Sequence, residues 1–302
     1  MSDYSVLVGN DINNITQGNS WLDVLKSLED KYGIKTNTIN KPFPLAYEEI
    51  YFNILNTQPD NFSENDIKDA IANKIKTIIP NDIHEEIIKL NCTNILTTNY
   101  DLAFEICLDA NLNVEDLKNE GKIKENKYNI FRHHQINGKK IWHIHGALTL
   151  PSSIILGYEH YSGYLQSMRG YTTTGSQYKN QDFNKPLTNR LSIDDIGNSW
   201  IDDFFTKDIY IFGLNLDFVE IDLWWLLTFR ERYRLTKKSD LYNKITYYIP
   251  QCFYENPPSK PKTELLQSVG VEVNFEFGSE FNEKKREYYL SVINDISRKS
   301  SS

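Results

Sequence analysis

Cysteine is scarce in this chain, and the three present, Cys92, Cys107 and Cys252, form no CxxC pair. That removes a structural zinc site built from paired thiolates and gives no sign of an oxidising compartment. Long apolar runs are missing too. No segment reaches the roughly 18 residues of a membrane-spanning helix, and the amino terminus lacks the basic region and apolar stretch of a signal peptide. Both absences point to a cytoplasmic protein with no membrane partner. An excess of basic residues is absent as well: 33 Lys and Arg stand against 41 Asp and Glu, a formal net charge of -8. Such a balance argues against direct nucleic-acid binding. No internal repeat and no GxGxxG motif is visible. What remains is ordinary globular composition over 302 residues, 40% hydrophobic and 25% charged, enough for a sizeable buried core.

The chain is organised around residues 94–101, which read Asn-Ile-Leu-Thr-Thr-Asn-Tyr-Asp. Ile95, Leu96, Thr97 and Thr98 have the short, apolar, β-branched pattern of a strand buried on both faces. Asn99, Tyr100 and Asp101 follow directly. In an open α/β sheet, ligands sit just beyond the carboxyl ends of such strands. Ahead of the helical pattern at 102–108, Asn99 and Asp101 read either as site residues at a strand-to-helix turn or as caps of that helix, since Asn and Asp are favoured N-caps.

Residues 4–8 form a first strand running into Gly9, Asn10 and Asp11. A strand followed by glycine and small polar residues can bring backbone N–H groups up to a phosphate, and it can equally be a plain turn. Helical patterns follow at 20–28, with Ser20 as cap, and from 45 to 90, broken at Pro80. These helices are expected to cover one flank of the sheet, as a helical insertion at about 40–90. Residues 122–138 are polar and irregular. They contain His133 and His134, which as neighbours point apart and share no metal site without other ligands.

Residues 139–146 read as a strand with His143 and His145 on one face. His145, at the strand end beside Gly146, is placed for acid–base work. The competing reading has both histidines satisfied by hydrogen bonds in the core. A turn and short strand are expected at 148–157, a helix at 158–165, and a flexible loop at about 168–192, where Gly, Thr, Ser, Gln and Asn accumulate. Residues 207–213 form another buried strand, followed by Leu214, Asn215, Leu216 and Asp217. An apolar helix over 219–229 carries Trp224 and Trp225, read as core more than interface, and Arg230, Arg232 and Arg234 complement its carboxyl end. Strands at 245–249 and 271–275 and a helix at 283–298 complete the pattern. Five strands that end in glycine or polar residues and alternate with helices predict an α/β fold, a doubly wound parallel sheet.

The ordered set of strand-Gly9-Asn10, Thr97-Thr98-Asn99-Tyr100-Asp101, Ile144-His145-Gly146 and Phe212-Gly213-Leu214-Asn215-Leu216 before an acidic helix resembles the sirtuin-like domains of bacterial antiphage defence proteins, over about 5–277. The resemblance implies a single Rossmann-like domain across 1–302 with a helical insertion, and NAD as substrate with no metal. By position it assigns Asn99 to the asparagine that holds the ribose and a water, His145 to the catalytic histidine, and Asp101 to the acidic residue beside the nicotinamide pocket. Gly9, Asn10 and Asp11 fall on the phosphate loop, Thr98 on the cofactor-binding wall, and Gly213 and Asn215 on the loop around the adenosine ribose. Two departures stand out. The paired zinc cysteines of sirtuin deacylases are missing, which puts an acyl-peptide groove in doubt, and Asp11 near a pyrophosphate would be repulsive unless it faces elsewhere. The implied function is an NAD glycohydrolase releasing nicotinamide and ADP-ribose as a defence effector. The alternative is a non-catalytic NAD or ADP-ribose sensor. Self-assembly or a separately encoded ATPase-type partner goes with either.

Overall fold

Short apolar runs punctuated by glycine and polar turns build one sheet. The computed structural model describes residues 3–15, 20–38, 40–58, 62–121, 127–175, 185–191, 196–237, 241–254 and 256–301. Strands β1 (Tyr4–Val8), β2 (Asn94–Thr97), β3 (His134–Ile136), β4 (Lys139–His143), β5 (Asp208–Phe212), β6 (Ile245–Tyr248) and β7 (Val271–Asn274) pair in the order β3-β4-β2-β1-β5-β6-β7. Every neighbouring pair is parallel except the β3–β4 hairpin at one edge. From β1 the chain steps outward to β2 and β4, then restarts on the other side of β1 with β5. This is the doubly wound, Rossmann-like order, and its switch point, where ligands bind in such sheets, lies between β1 and β5. The edge strand β3 falls in a stretch whose sequence reads as irregular.

Register places the strand ends together. Phe212 is opposite Val8, Val8 opposite Thr97, and Thr97 opposite His143. One rung therefore crosses four strands, and Gly9, Thr98, Ile144 and Gly213 leave the sheet at one level.

The helices are α1 (Trp21–Tyr32), α2 (Phe43–Thr57), α3 (Glu64–Ile75), α4 (Asp82–Ile88), α5 (Ala103–Leu108), α6 (Tyr158–Arg169), α7 (Leu187–Arg190), α8 (Trp200–Thr206), α9 (Ile221–Lys237), α10 (Gln251–Tyr254), α11 (Lys260–Ser268) and α12 (Lys285–Ser301). Strand alternation splits the core. Val6, Val8 and Ile95 pack with Ile83, Ile87, Phe104 and Val292 on one face, while Leu7, Leu96, Ile209 and Ile211 pack with Met168, Trp200, Phe204 and Leu226 on the other. A third cluster joins Leu25, Leu28, Ile50, Ile54, Ile67 and Ile71 to Tyr100, Ile154 and Leu156. Thus α1, α2 and α3 share a core of their own beside the strand ends, and α4 alone of the helices expected at 40–90 covers the sheet. The start of this helical unit is set by Ser20, whose Oγ accepts from Asp23 N at 3.2 Å while the Asp23 carboxylate accepts from Ser20 N at 3.0 Å. A cap of this kind is worth roughly 0.5–2 kcal/mol.

Three local expectations differ from the structure. The strand expected near 154–156 is instead a 3-10 turn, Pro151–Ser153, followed by buried Ile154, Ile155 and Leu156 outside any strand. Of the stretch expected as a flexible loop, α6 continues into a π-helical turn, Gly170–Thr174, where the buried Tyr171 donates to Asp202 at 2.8 Å, and α7 lies beyond it. Residues 176–184 and 192 of that stretch lie outside the described residues. Finally, α9 runs to Lys237, so Arg230 is mid-helix; it is buried and donates to the carbonyls of Phe204 at 2.7 Å and Asn243 at 2.5 Å. Tertiary carbonyls, not the helix dipole, explain that arginine.

Candidate functional site

Gly9 and Gly213 set the geometry of the switch point. Gly9 N donates to Phe212 O at 3.1 Å and Asp11 N to Gly213 O at 2.9 Å. A Cβ on Gly9 would lie 2.4 Å from Gly213 O, and Gly213 itself has φ +65°. Only two glycines allow these loops to touch. The same contact uses the Gly9 N–H on backbone, so Gly9 acts by close approach and its amide is not turned towards a ligand.

A cavity of about 280 Å³ opens above the rung, lined by Asn10, Thr98, Tyr100, His145, Tyr161 and Glu220, with Trp21, Phe43 and Pro44 contributed by the helical unit. Asp11, Asn14, Gly213, Leu214 and Asn215 line both this cavity and a second one of about 700 Å³ that extends to Tyr247, Lys262, Lys285 and Tyr289. The structure thus brings Asn10, Asp11, Thr98, His145, Gly213 and Asn215 together around two neighbouring cavities with shared walls. Ligand pockets for small molecules and cofactors commonly measure roughly 300–1,000 Å³.

His145 is buried, and its Nε2 lies 2.8 Å from Asp222 Oδ2 at the start of α9. Burial alone would lower the imidazole pKa, but the Asp222 carboxylate outweighs it and holds His145 above the usual histidine range. Among the described residues Nδ1 makes no hydrogen bond, and it is the nitrogen left for a ligand. Gly146 permits the turn that aims this side chain: its φ is +96°, and a Cβ there would meet Ser153 O at 2.4 Å. Because β4 ends at His143 and the chain turns, His143 and His145 do not share a face. His143 instead bonds Glu105 and the Asn99 carbonyl. Glu220 adds a second acidic group, its carboxyl pushed up to about 7 by burial, offset in part by His145 and reinforced by Asp222. Its Oε2 is buried without a partner among the described residues.

Asn99 lies just behind the wall, between the lining residues Thr98 and Tyr100. It is 2% exposed, and among the described residues neither atom of its side-chain amide has a hydrogen-bond partner. Buried amides without partners are rare and need an explanation. Asp101 is placed differently. Its Oδ1 accepts from Ala103 N at 3.0 Å, capping α5, and its Oδ2 accepts from Asn13 Nδ2 at 2.8 Å. Both oxygens brace the turn and the first loop, and Asp101 is not part of the cavity wall. The Asp11 carboxylate accepts from Lys285 Nζ at 2.7 Å and from the Tyr289 hydroxyl, so its charge is met by α12. Asn215 is held by Lys262 Nζ, 2.9 Å from its Oδ1.

Several lining groups escape a sequence reading. Trp21, Tyr161, Lys262 and Lys285 arrive from elements distant in sequence. Glu220 and Asp222 had a signal, acidic residues at the head of an otherwise apolar helix just after the Gly213 turn. The histidine pair resolves by direction: His133 packs on Trp142, ring centres 4.3 Å apart, while His134 Nδ1 reaches Glu105 at 2.6 Å. Glu105, His134 and His143 put three possible ligand atoms within 4.8 Å of one another. Among the described residues no helix is long and apolar enough to cross a membrane.

Comparison of the chain with curated proteins gives no match. Residues 93–196 match the family model of the SIR2-like domain, about a third of the chain. The matched stretch carries β2, Asn99, α5, β4 and His145, and it supports a sirtuin-like domain on a Rossmann-like sheet.

Proposed function

We propose that this protein cleaves the N-glycosidic bond of NAD, releasing nicotinamide and ADP-ribose. The observation that carries the reading is His145 with its Asp222 partner, set in the smaller of two neighbouring cavities at the switch point of a Rossmann-like sheet. The SIR2-like match over 93–196 supports NAD as the ligand class. In this reading the nicotinamide riboside end occupies the chamber of His145, Thr98 and Tyr100, and the rest of the dinucleotide passes Gly213 and Asn215 into the larger chamber.

Bond cleavage develops positive charge on the ribose, so a site gains rate by stabilising that charge and by orienting water. Neutral His145 takes a proton from a ribose hydroxyl or the water through Nδ1, and Asp222 steadies the imidazolium so formed, a contribution typically worth about 10²- to 10⁴-fold. Asn99 offers its unpartnered amide to the water or a ribose hydroxyl. Glu220 supplies negative charge near the developing cation when ionised. Asp101 holds Asn13 and the start of α5, and so keeps the loops in place.

A second reading is a sensor that binds NAD or ADP-ribose without turnover. The raised pKa of His145 favours it, since a protonated imidazole binds and orients but accepts no proton. Nicotinamide release by the purified protein, run beside His145→Ala with NAD binding measured on the same samples, separates the two. Release by the wild type alone supports the hydrolase; binding with no release favours the sensor; neither removes NAD from the proposal. A role as an antiphage defence effector, with self-assembly, belongs to this same proposal.

A further inference from the structure

Behind Asn99 lies a group of ionisable side chains that the proposed chemistry does not touch. Glu105, on α5, is fully buried, and its Oε1 is 2.6 Å from His134 Nδ1 and 2.7 Å from His143 Nε2. The other nitrogen of His143, Nδ1, is 2.7 Å from the carbonyl oxygen of Asn99. A carbonyl only accepts, as does an ionised carboxylate, so a histidine between the two donates from both nitrogens and carries a positive charge. The short contacts to Oε1 are those of charge-assisted hydrogen bonds.

We propose that Glu105 and His143 form a buried carboxylate–imidazolium pair, steadied by His134, that positions Asn99 for the reaction inferred above. The proposal rests on that reading for the reaction and on geometry for the pair. Asn99 is clamped at both ends of its backbone: its N–H donates to Thr97 Oγ1 at 3.0 Å, and its carbonyl accepts from His143. Thr97 Oγ1 in turn donates to Val8 O at 2.9 Å, tying the clamp to the central strand. The side-chain amide between those two fixed points has no partner among the described residues, so its direction depends on the turn that bears it.

Stability does not account for such a pair. Burying two charges costs several kcal/mol per ion, and well-packed apolar residues often do as well or better. Holding the residue beside a reacting centre is a use for which an apolar substitute has no donor. As it stands, the cluster is spaced for hydrogen bonds. Ligands roughly 2.0–2.2 Å from a tetrahedral ion stand about 3.4 Å from each other, whereas these nitrogens lie 2.6 Å and 2.7 Å from one carboxylate oxygen. The electrostatics agree: burial would raise Glu105, yet His143 and His134 draw it down to about 2, and Glu105 with the Asn99 carbonyl holds His143 above the usual range.

The test uses the full chain with ¹⁵N-labelled histidine and asparagine. At about pH 8, where an exposed histidine of pKa about 6.5 is neutral, wild-type His143 is expected to show two protonated ring nitrogens. A neutral tautomer would overturn the pair, and this arm needs no variant to fold. In Glu105→Gln the side-chain amide signals of Asn99 are expected to shift, and unmoved signals would overturn the positioning role whether or not NAD is cleaved. Where nicotinamide is released, Glu105→Gln and His143→Gln are each expected to lower kcat at least tenfold with KM little changed. The double variant should lose no more than the worse single one, because coupled residues are not additive; independent, multiplying losses would count against a unit. One equivalent of zinc in the purified protein, lost in Glu105→Gln, would replace this account with a metal centre.

Discussion

The His145 imidazole and the Asp222 carboxylate meet at 2.8 Å across 77 residues of chain, one leaving β4 and the other opening α9. Asp222 is the reason that His145 titrates above its ordinary range despite burial. Removing the carboxylate removes the main group that raises the pKa. Asp222→Asn is expected to move the rising limb of the rate–pH profile to lower pH and to cut kcat by roughly 10²-fold or more, as loss of a positioned acid–base partner does. A limb that stays put, measured by nicotinamide release from about pH 5 to pH 9, would take His145 out of the role of base.

Glu220 shares that chamber and titrates at about 7. Its charge therefore changes across the neutral range, and binding of any charged ligand nearby changes with it. In Glu220→Gln the pH dependence of NAD affinity between about pH 6 and pH 8 should flatten. Calorimetric titration at three pH values reads the result, and an unaltered slope would place Glu220 outside the ligand's reach.

Buried ionisable groups also predict how stability varies with pH. The folded pKa of His143, His145 and Glu220 is raised, so their contribution is present below the unfolded pKa and is lost as pH climbs through the folded value. Burial depresses His84, His133 and His160, whose contribution is present above about pH 6.5 and is lost as they are forced to charge in acid. Glu105, drawn down to about 2, adds stability that fails only in strong acid. Urea unfolding should therefore show a maximum near about pH 6.5 and a decline on both sides. A curve still rising at about pH 8.5 would contradict the raised group.

Gly9→Ala tests the contact at the switch point. The new methyl group meets Gly213 O at 2.4 Å and Leu214 Cα at 2.5 Å, both backbone, so one loop must move. The expected cost is about 1–3 kcal/mol, as for other overpacked sites, seen as a lower Tm, with weaker NAD binding because the displaced loop carries Asn215. Unchanged stability and binding would mean that the loops have slack the geometry denies.

Strand and helix order was legible from residue pattern alone. Ile95 to Thr98 and Lys207 to Phe212 read as buried strands because short apolar, β-branched or aromatic runs bounded by polar residues or glycine have few other uses, and their alternation with helices implied the doubly wound sheet. His145 and Asn99 stood out for the same local reason: polar residues at the ends of apolar strands. The helical core of α1, α2 and α3 was harder to see, because periodicity marks an apolar face and says nothing of what it packs against.

Partners across the sheet were decided by tertiary structure. Sequence pattern placed His143 and His145 on one face, but Gly146 turns the chain and sends one to Glu105 and the other to Asp222. Asp101 was open between site and cap; in the folded chain its two oxygens meet Ala103 N at the start of α5 and the Asn13 amide. Asp11 looked repulsive to phosphate until α12, at the far end of the chain, brought Lys285 and Tyr289 to it. A sequence determines local conformation through torsions and burial pattern, which act over a few residues. Charge, protonation and orientation depend on what stands within a few ångströms, and only the folded chain decides that.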